Sequence, residues 1–563
     1  MKNWKRIVAM CIGGIISALL FSGCGKNADD GTPAATKVPE HTSEPIVDVM
    51  VGPTLDAEYA ADFSVSNVFG KNMVVQRGEY LRIWGTAPES ENGKKISGQF
   101  KGMFAETLVE NGEWVLKFGA RLEASCELNH SMRLYTDSKE VIFEDILVGD
   151  VYMVIGQSNV AYSMQNHWQY VSDSDKGGSK GIDKTAPIRI HYNSLTQTAG
   201  YPKRGTQEVC PELLNKSKWK VATSGAISNF SAIGYLFAQN MVKITEGKVP
   251  LGIIEIDGNG QPLGAFMSNE VAQKCGSDTY NSKLGYYQTT GVNADAGRYM
   301  YNHYMYPFEK LAIAGIIWYQ GESDFQVANA RVFAENFSEL MTYMRSTHNL
   351  VNKDFPVYVI EFPPNYTQPA DFKPTASSPM WAAMDVGLIR AVVGSIPQYL
   401  DNCYLSVSSD LWLDRKFWNT LHPNCKFEQG QRTATLAAGV MGLIPMEEAC
   451  GPVLKSVRLS DNGKKAILTY DNVGRGLKTS DGGDTVKGFA ILQDDFRIVQ
   501  PNSSRKLQAK ITGSNEITIT CSEEMKGVVY NCIMDNVYGE DVNLCGSSGM
   551  PAGAVLMYAQ EKS

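Results

Sequence analysis

The fold is decided by residues 149–159, which read Gly-Asp-Val-Tyr-Met-Val-Ile-Gly-Gln-Ser-Asn. An apolar run at residues 151–155 is followed by Gly156, and then by Ser158 and Asn159. A near-continuous apolar run of this length predicts a strand that is buried on both faces, as in a parallel sheet. The glycine that ends the run permits a sharp turn, which would present the Ser158 hydroxyl at the end of the strand.

Further apolar runs follow this strand along the chain. Residues 251–256, 313–319 and 356–360 read as strands, and residues 232–245 and 330–346 have the character of helices. Buried strands that alternate with helices predict an α/β fold with a doubly wound parallel sheet.

Shorter alternating runs lie on both sides of this region, for example at residues 80–84, 114–118, 465–470 and 516–520. Strand-length runs separated by Gly, Asn and Pro predict a β-sandwich at each end. We therefore expect an N-terminal β-sandwich at 60–145, a central α/β domain at 146–450 and a C-terminal β-sandwich at 451–563.

The first 24 residues predict export. A basic start, Lys2 to Arg6, precedes an uncharged run at 7–21, which is too short to span a bilayer and matches the apolar part of a signal peptide. Phe21-Ser22-Gly23-Cys24 resembles a bacterial lipobox, so we expect lipid on Cys24 and a flexible tether at 25–59. This predicts a protein anchored by lipid to the outer face of a bacterial cell membrane, with no other membrane contact.

Composition excludes several classes of protein. The 563 residues are 43% hydrophobic and 20% charged, with a formal net charge of −8, which is typical of a globular protein and disfavours nucleic acid as a partner. The 11 cysteines include no C-x-x-C pair, so neither a zinc site nor a disulfide framework is indicated.

The chemistry is expected where the strands end, since ligands of open α/β sheets bind outside the carboxyl ends of the strands. Three strand exits carry polar or glycine-rich loops: Ser158, the loop at 257–262, and the loop at 320–324. Of the seven histidines, His422 precedes the last helical pattern of the central region, from about 428 to 441, and could take a proton from Ser158.

The chain resembles the sialate O-acetylesterase family of SGNH-type hydrolases. The resemblance covers nearly everything from residue 60 onward. It rests on six blocks in order: residues 69–77, 149–159, 230–238, 317–323, His422-Pro423, and the pair formed by Gly451-Pro452 and 549–552.

The resemblance implies a serine esterase that removes acetyl groups from carbohydrate. Ser158 would be the nucleophile and His422 the general base, with the oxyanion held by the N–H of Ser158, the N–H of Gly260 and the amide of Gln320. This chemistry requires no metal and no organic cofactor.

The acidic residue that would complete a catalytic triad with Ser158 and His422 is not identified. Family members carry an Asp two or three residues before the His, where this chain has Asn419 and Thr420. Glu322, in the family motif, is our first candidate, followed by Asp410 and then Asp414, and a Ser–His dyad is a further alternative.

The expected substrate is an acetylated carbohydrate, either sialic acid or acetylated plant polysaccharide such as xylan or mannan. The acidic charge favours neutral polysaccharide. Asn159 and Trp168 are expected to contact the sugar. The alternative to an enzyme is a surface carbohydrate-binding protein on the same fold. The sequence does not predict an oligomeric state.

Overall fold

The computed structural model describes residues 54–194, 208–214, 217–275, 298–324, 327–347, 354–363, 386–411, 422–499, 501, 506–532 and 542–560. The signal peptide at 1–24, Cys24 and most of the tether lie outside these residues. The described residues belong to one unit of the chain, Val49–Ser563, so the three domain boundaries stay predictions. Within the described part of the chain, no helix is both long and apolar enough to cross a membrane.

The N-terminal strands form two antiparallel sheets, ordered β1-β3-β6 and β5-β4-β7-β8. Alternation decides which residues face inward: in β6, Trp114, Leu116 and Phe118 are buried while their neighbours are more exposed. The strands are β1 Ser64–Val65, β2 Val74–Gln76, β3 Tyr80–Thr86, β4 Lys95–Phe100, β5 Met103–Leu108, β6 Glu113–Arg121, β7 Met132–Tyr135 and β8 Glu140–Phe143.

The central sheet confirms the α/β prediction. Its strands run in the order β11-β10-β12-β9-β13-β14-β15, all parallel except β11, and β2 pairs with β9 as well. Chain order reverses at β9, so its carboxyl end lies at the topological switch point, where ligands of such sheets bind. The strands are β9 Leu147–Gly156, β10 Ile188–Ser194, β11 Trp219–Val221, β12 Leu251–Asp257, β13 Gly315–Tyr319, β14 Val357–Ile360 and β15 Cys403–Ser406.

The helices include all three that the sequence predicted: α3 Ala232–Ile244, α5 Val327–Thr347 and α7 Lys426–Val440. The side chain of Ser231 caps α3 by accepting from Gly234 N–H at 3.3 Å. Where α3 meets α7, a Cβ on Gly430 would lie 3.0 Å from Leu236 Cβ, so this close crossing disfavours a side chain at position 430. The helices are α1 Met164–Trp168, α2 Ser224–Ile227, α3 Ala232–Ile244, α4 Asn269–Lys274, α5 Val327–Thr347, α6 Val386–Ser395, α7 Lys426–Val440 and α8 Met446–Ala449.

Strand β10 has no continuous apolar run, and its sequence does not predict it. Arg189, His191 and Asn193 alternate with apolar residues, although all three are buried. Their polar groups are accommodated by neighbours; Asn193 Nδ2, for example, donates to Tyr304 O at 2.9 Å. The alternating sequence of β10 is therefore typical of a half-exposed strand, whereas the strand is buried in the structure.

The C-terminal strands form three antiparallel sheets, ordered β16-β17-β22-β21, β20-β19-β23-β25 and β18-β24. Most of their apolar residues make up a second hydrophobic core, centred on residues such as Leu468, Ile517 and Val528. The strands are β16 Val453–Ser460, β17 Lys465–Asp471, β18 Lys478–Thr479, β19 Phe489–Leu492, β20 Ile498–Val499, β21 Gln508–Ile511, β22 Glu516–Thr520, β23 Gly527–Tyr530, β24 Leu544–Cys545 and β25 Val555–Tyr558.

One buried carboxylate joins the C-terminal strands to the central sheet. Glu361 follows β14 and is fully buried. Its oxygens accept from Ser408 N–H and Ala554 N–H, both at 2.6 Å, and from Ser409 Oγ at 2.9 Å. Charge-assisted hydrogen bonds of this kind are about twice as strong as neutral ones, so Glu361 is a strong connection between the two regions.

We expect Glu361→Ala to lower the free energy of unfolding by roughly 3 kcal/mol or more, because buried N–H groups lose their acceptor. The midpoint of urea denaturation measures this. Glu335→Ala, which removes an exposed carboxylate from α5, is the matched control and should change the midpoint little. Equal midpoints for the two variants would show that Glu361 does not hold the regions together.

Candidate active site

Ser158 lies on a tight turn directly after β9. Gly156 ends the strand, and a Cβ there would lie 2.1 Å from Tyr319 O on the neighbouring strand, so only glycine fits. The N–H groups of Val160 and Ala161 both donate to Gln157 O, at 2.9 and 3.0 Å, which closes the turn. Ser158 is half-buried at the carboxyl edge of the sheet, where the sequence placed it.

Asn159, the next residue, is fully buried and joins two other segments. Its Nδ2 donates to Glu322 Oε1 at 2.5 Å, and its Oδ1 accepts from Lys426 Nζ at 2.6 Å. Glu322 follows β13, and Lys426 begins α7. We call these three side chains, Lys426, Asn159 and Glu322, the buried polar triad.

His422 lies four residues before α7 and is half-buried. Burial, and secondly the nearby ammonium of Lys426, lower the pKa of His422 from 6.5 to about 4. The imidazole is therefore neutral near pH 7, which is the form that accepts a proton. The contact of Lys426 with Asn159 ties the segment that follows His422 to the residue that follows Ser158.

The candidate acids lie in different surroundings. Asp410 makes a bidentate ion pair with Arg432, with N–O distances of 2.5 and 2.8 Å. This pair already engages both of its oxygens, which speaks against Asp410 as the partner of His422. Glu322 lies in the buried polar triad, and Asp414, Asn419 and Thr420 lie outside the described residues.

The predicted oxyanion donors lie in different surroundings. Gly260 has a φ of +68° and open space where a Cβ would lie, as expected for a loop that a substrate approaches. The N–H of Gly258 donates to Gly156 O at 3.0 Å. Gln320 Nε2 donates to Gln261 O at 3.2 Å and to Asp324 Oδ2 at 2.6 Å, so in this structure both its hydrogens point to protein atoms rather than to an oxyanion.

The two residues expected to contact the sugar have other polar partners. The Asn159 amide lies in the buried polar triad. Trp168 is half-buried on α1, and its indole N–H donates to Gly177 O at 3.0 Å. These contacts speak against both residues as hydrogen-bonding groups for a sugar.

The sequence alone indicated no role for four buried ionisable residues near the site: Lys426, Asp324, Glu255 and Asp257. Besides Lys426, Asp324 is fully buried and accepts from Leu263 N–H at 3.0 Å, which holds the glycine loop. Glu255 and Asp257 form a buried carboxyl pair on β12, beside the Ser158 turn. Burial raises the pKa of both, and the charge of Asp257 further raises that of Glu255. The acids after strands β12 and β13 were visible as strand-exit residues, but no signal distinguished Lys426 from a surface lysine.

Neither metal nor disulfide chemistry is evident in the described part of the chain. It contains no cluster of three or more His, Cys, Asp or Glu side chains that could hold a metal ion. The nine cysteines from Cys126 to Cys545 are free thiols, and six of them are buried.

The chain is similar in sequence to known carbohydrate esterases. Residues 148–371 match a family model described as carbohydrate esterase, sialic acid-specific acetylesterase. Curated sialate O-acetylesterases from Pongo abelii and Homo sapiens are each 22% identical over 339 residues, which is 58% of this chain. The matched region spans 60% of the length of each of these relatives.

A solved structure of a carbohydrate acetylesterase from Xanthomonas citri is similar in fold. It is 22% identical, has a TM-score of 0.66, and the match covers 89% of this chain and 100% of that one. At this level of identity the likeness concerns the fold alone.

We expect His422 to titrate with a midpoint near pH 4 rather than 6.5, because burial disfavours the charged imidazolium. The Cε1–Hε1 NMR signal of His422, assigned by its loss in a His422→Gln chain, measures the midpoint. A value at or above 6.5 would contradict the buried environment described for this side chain.

Proposed function

We propose that this chain, whose residues 148–371 match the model of the carbohydrate esterase family of sialic acid-specific acetylesterases, hydrolyses acetyl esters of carbohydrates through Ser158. The single observation that carries the proposal is the turn after β9. It presents a half-buried Ser158 at the switch point of the sheet, one residue from a contact to the segment of His422. A hydroxyl and a neutral imidazole on adjoining segments are the two parts that nucleophilic catalysis by serine requires.

In the proposed reaction, Ser158 Oγ attacks the acetyl carbonyl carbon while His422 takes the hydroxyl proton. When the tetrahedral intermediate collapses, the bond to the sugar oxygen breaks and His422 returns the proton to that oxygen. Water then attacks the acetyl-enzyme while His422 takes one of its protons. The bond between the acetyl carbon and Ser158 Oγ breaks, His422 returns the proton to Oγ, and acetic acid leaves and ionises to acetate. No external oxidant or reductant takes part in these steps.

We assign the oxyanion to the backbone N–H groups of Ser158 and Gly260. Gly260 lies on a half-buried loop with open space beside it, and preorganised N–H donors are a large contribution to catalysis of acyl transfer. Gln320 would join them only if its amide left Gln261 O or Asp324.

We keep Glu322 as the acidic partner of the site. It is buried, carries a carboxylate at the exit of β13, and contacts the residue next to the nucleophile. Asp410, by contrast, neutralises Arg432. In the proposed reaction, the Glu322 carboxylate would stabilise the imidazolium that forms when His422 accepts the proton.

The proposed substrates are acetylated sialic acid and acetylated neutral polysaccharides such as xylan or mannan. The net charge of −8 favours the neutral polymers, because an acidic surface repels polyanions. We further propose that lipid on Cys24 holds the protein at the outer face of a bacterial membrane, where such polymers are accessible. Mass spectrometry of the protein from the membrane fraction tests the lipid.

Ser158→Ala should lower the rate of aryl acetate hydrolysis by about 10⁴-fold or more, because the nucleophile is lost. Purified full-length chains are compared in a spectrophotometric assay, and the active chain is then profiled on acetylated xylan, mannan and O-acetyl sialic acid.

Ser163→Ala, which removes a hydroxyl that caps α1 a short distance along the chain, is the matched control and should retain most of the activity. Equal rates for wild type and Ser158→Ala, or no rate in either, would contradict the esterase and favour a carbohydrate-binding protein.

Two matched acid-to-amide variants identify the acid of the site. Glu322→Gln should lower kcat/KM by about 10³-fold or more, whereas Asp410→Asn should cost less than about tenfold, because Asp410 serves Arg432. The same aryl acetate assay measures both. A large loss in Asp410→Asn together with a small one in Glu322→Gln would reverse the assignment.

A further inference from the structure

Lys426 is a fully buried lysine at the first position of α7. Lysine is rarely buried completely, because removing an ammonium from water is costly unless it has partners. A surface position would have served the amphipathic helix equally well. The location of this side chain therefore calls for a reason beyond helix formation.

The partners of Lys426 belong to the site. Its Nζ donates to Asn159 Oδ1 at 2.6 Å and lies 5.1 and 5.0 Å from the ring centroids of Tyr162 and Tyr319. Both rings offer a negative face to the cation. Asn159 in turn donates to Glu322, so the charge of the ammonium and that of the carboxylate are joined through one amide.

These contacts connect three segments that are far apart in the chain. Asn159 is separated by 163 positions from Glu322 and by 267 positions from Lys426. One segment carries Ser158, one follows β13, and the third carries His422 just before α7. A change at Lys426 would thus act on the nucleophile and on the base together.

We propose that Lys426 is a positioning residue of the esterase: through Asn159 and Glu322, its buried ammonium holds the Ser158 turn and the His422 segment in register. The proposal rests on the proposed function and deepens it. Lys426 does not touch the substrate. It acts on the position of Ser158 and His422 through Asn159 and Glu322, and its charge also acts on the base.

The electrostatic part follows from the surroundings of the ammonium. The titratable and charged groups around it are Glu322, Cys425, His422, His167, Tyr162 and Tyr319, and its charge also lowers the pKa of His167. Burial lowers the pKa of Lys426 to about 8, while Cys425 and Glu322 oppose that shift, so the side chain stays mostly charged at pH 7. This positive charge adds to burial in disfavouring protonation of His422. Removing it should raise the pKa of His422 and leave less of the base neutral in acid.

Two variants separate charge from hydrogen bonding. Lys426→Met removes the charge and the donor, and Lys426→Gln removes the charge but keeps an N–H donor for Asn159. In both, the NMR midpoint of His422 and the acidic limb of kcat/KM should move to higher pH by roughly one unit. Lys426→Met should in addition lower kcat by about 10²-fold, as expected when reacting groups shift by about 1 Å.

Two controls keep the charge argument specific. Lys426→Arg retains the charge, so the acidic limb of kcat/KM should stay at the same pH even if kcat changes. Lys176→Met removes a half-exposed lysine whose Nζ lies 3.6 Å from Glu428 on the first turn of α7, and the midpoint of His422 should not move.

The NMR titration does not require turnover, so it separates the two proposals. An inactive wild-type chain would overturn the proposed function, and the titration would still decide the coupling between Lys426 and His422. An unchanged His422 midpoint in folded Lys426→Gln would overturn the proposal for Lys426. If Lys426→Met does not fold, Lys426→Gln and Lys426→Arg carry the comparison.

Discussion

The structure depends on one strand that is hydrogen bonded along both of its edges. Strand β9 pairs with β12 on one side and with β13 on the other, and all ten of its residues are buried. A strand in this position must be apolar on both faces and must reach the sheet edge without a bulky side chain. Gly156 meets the second requirement against Tyr319 O, and the chain then turns at Ser158. The position of Ser158 is thus a consequence of how the neighbouring strands pack against β9.

Burial at this edge has a cost that the site must offset. Asn159, Asp324, Glu255 and Lys426 are all buried, and a buried polar group without a partner is strongly destabilising. The hydrogen bonds among them and to loop N–H groups satisfy much of this demand. A network with such constraints has few alternative arrangements, and this rigidity is what a preorganised catalytic site needs.

The β regions at both ends are attached to the same sheet. Strand β2 extends it beside β9, and Arg77 clamps Asp150 with two hydrogen bonds of 2.8 Å. At the carboxyl edge, Glu361 binds the backbone of Ala554 from the C-terminal strands. The expected domain boundaries remain predictions, but these contacts connect each β region to the central sheet, which carries the candidate site.

By itself, the sequence determined the α/β class and the apolar central strands, because burial on two faces demands apolar runs. It also determined the strand ends that are followed by Ser158, Gly260 and Glu322, because a sharp turn at the end of a strand demands glycine. It did not reveal β10, whose buried polar residues imitate an exposed pattern. Only the tertiary structure decided that Asp410 pairs with Arg432 and that Lys426 reaches Asn159. The physical reason is that such pairings join residues up to 267 positions apart, and strand order and helix packing, rather than local sequence, bring their side chains together.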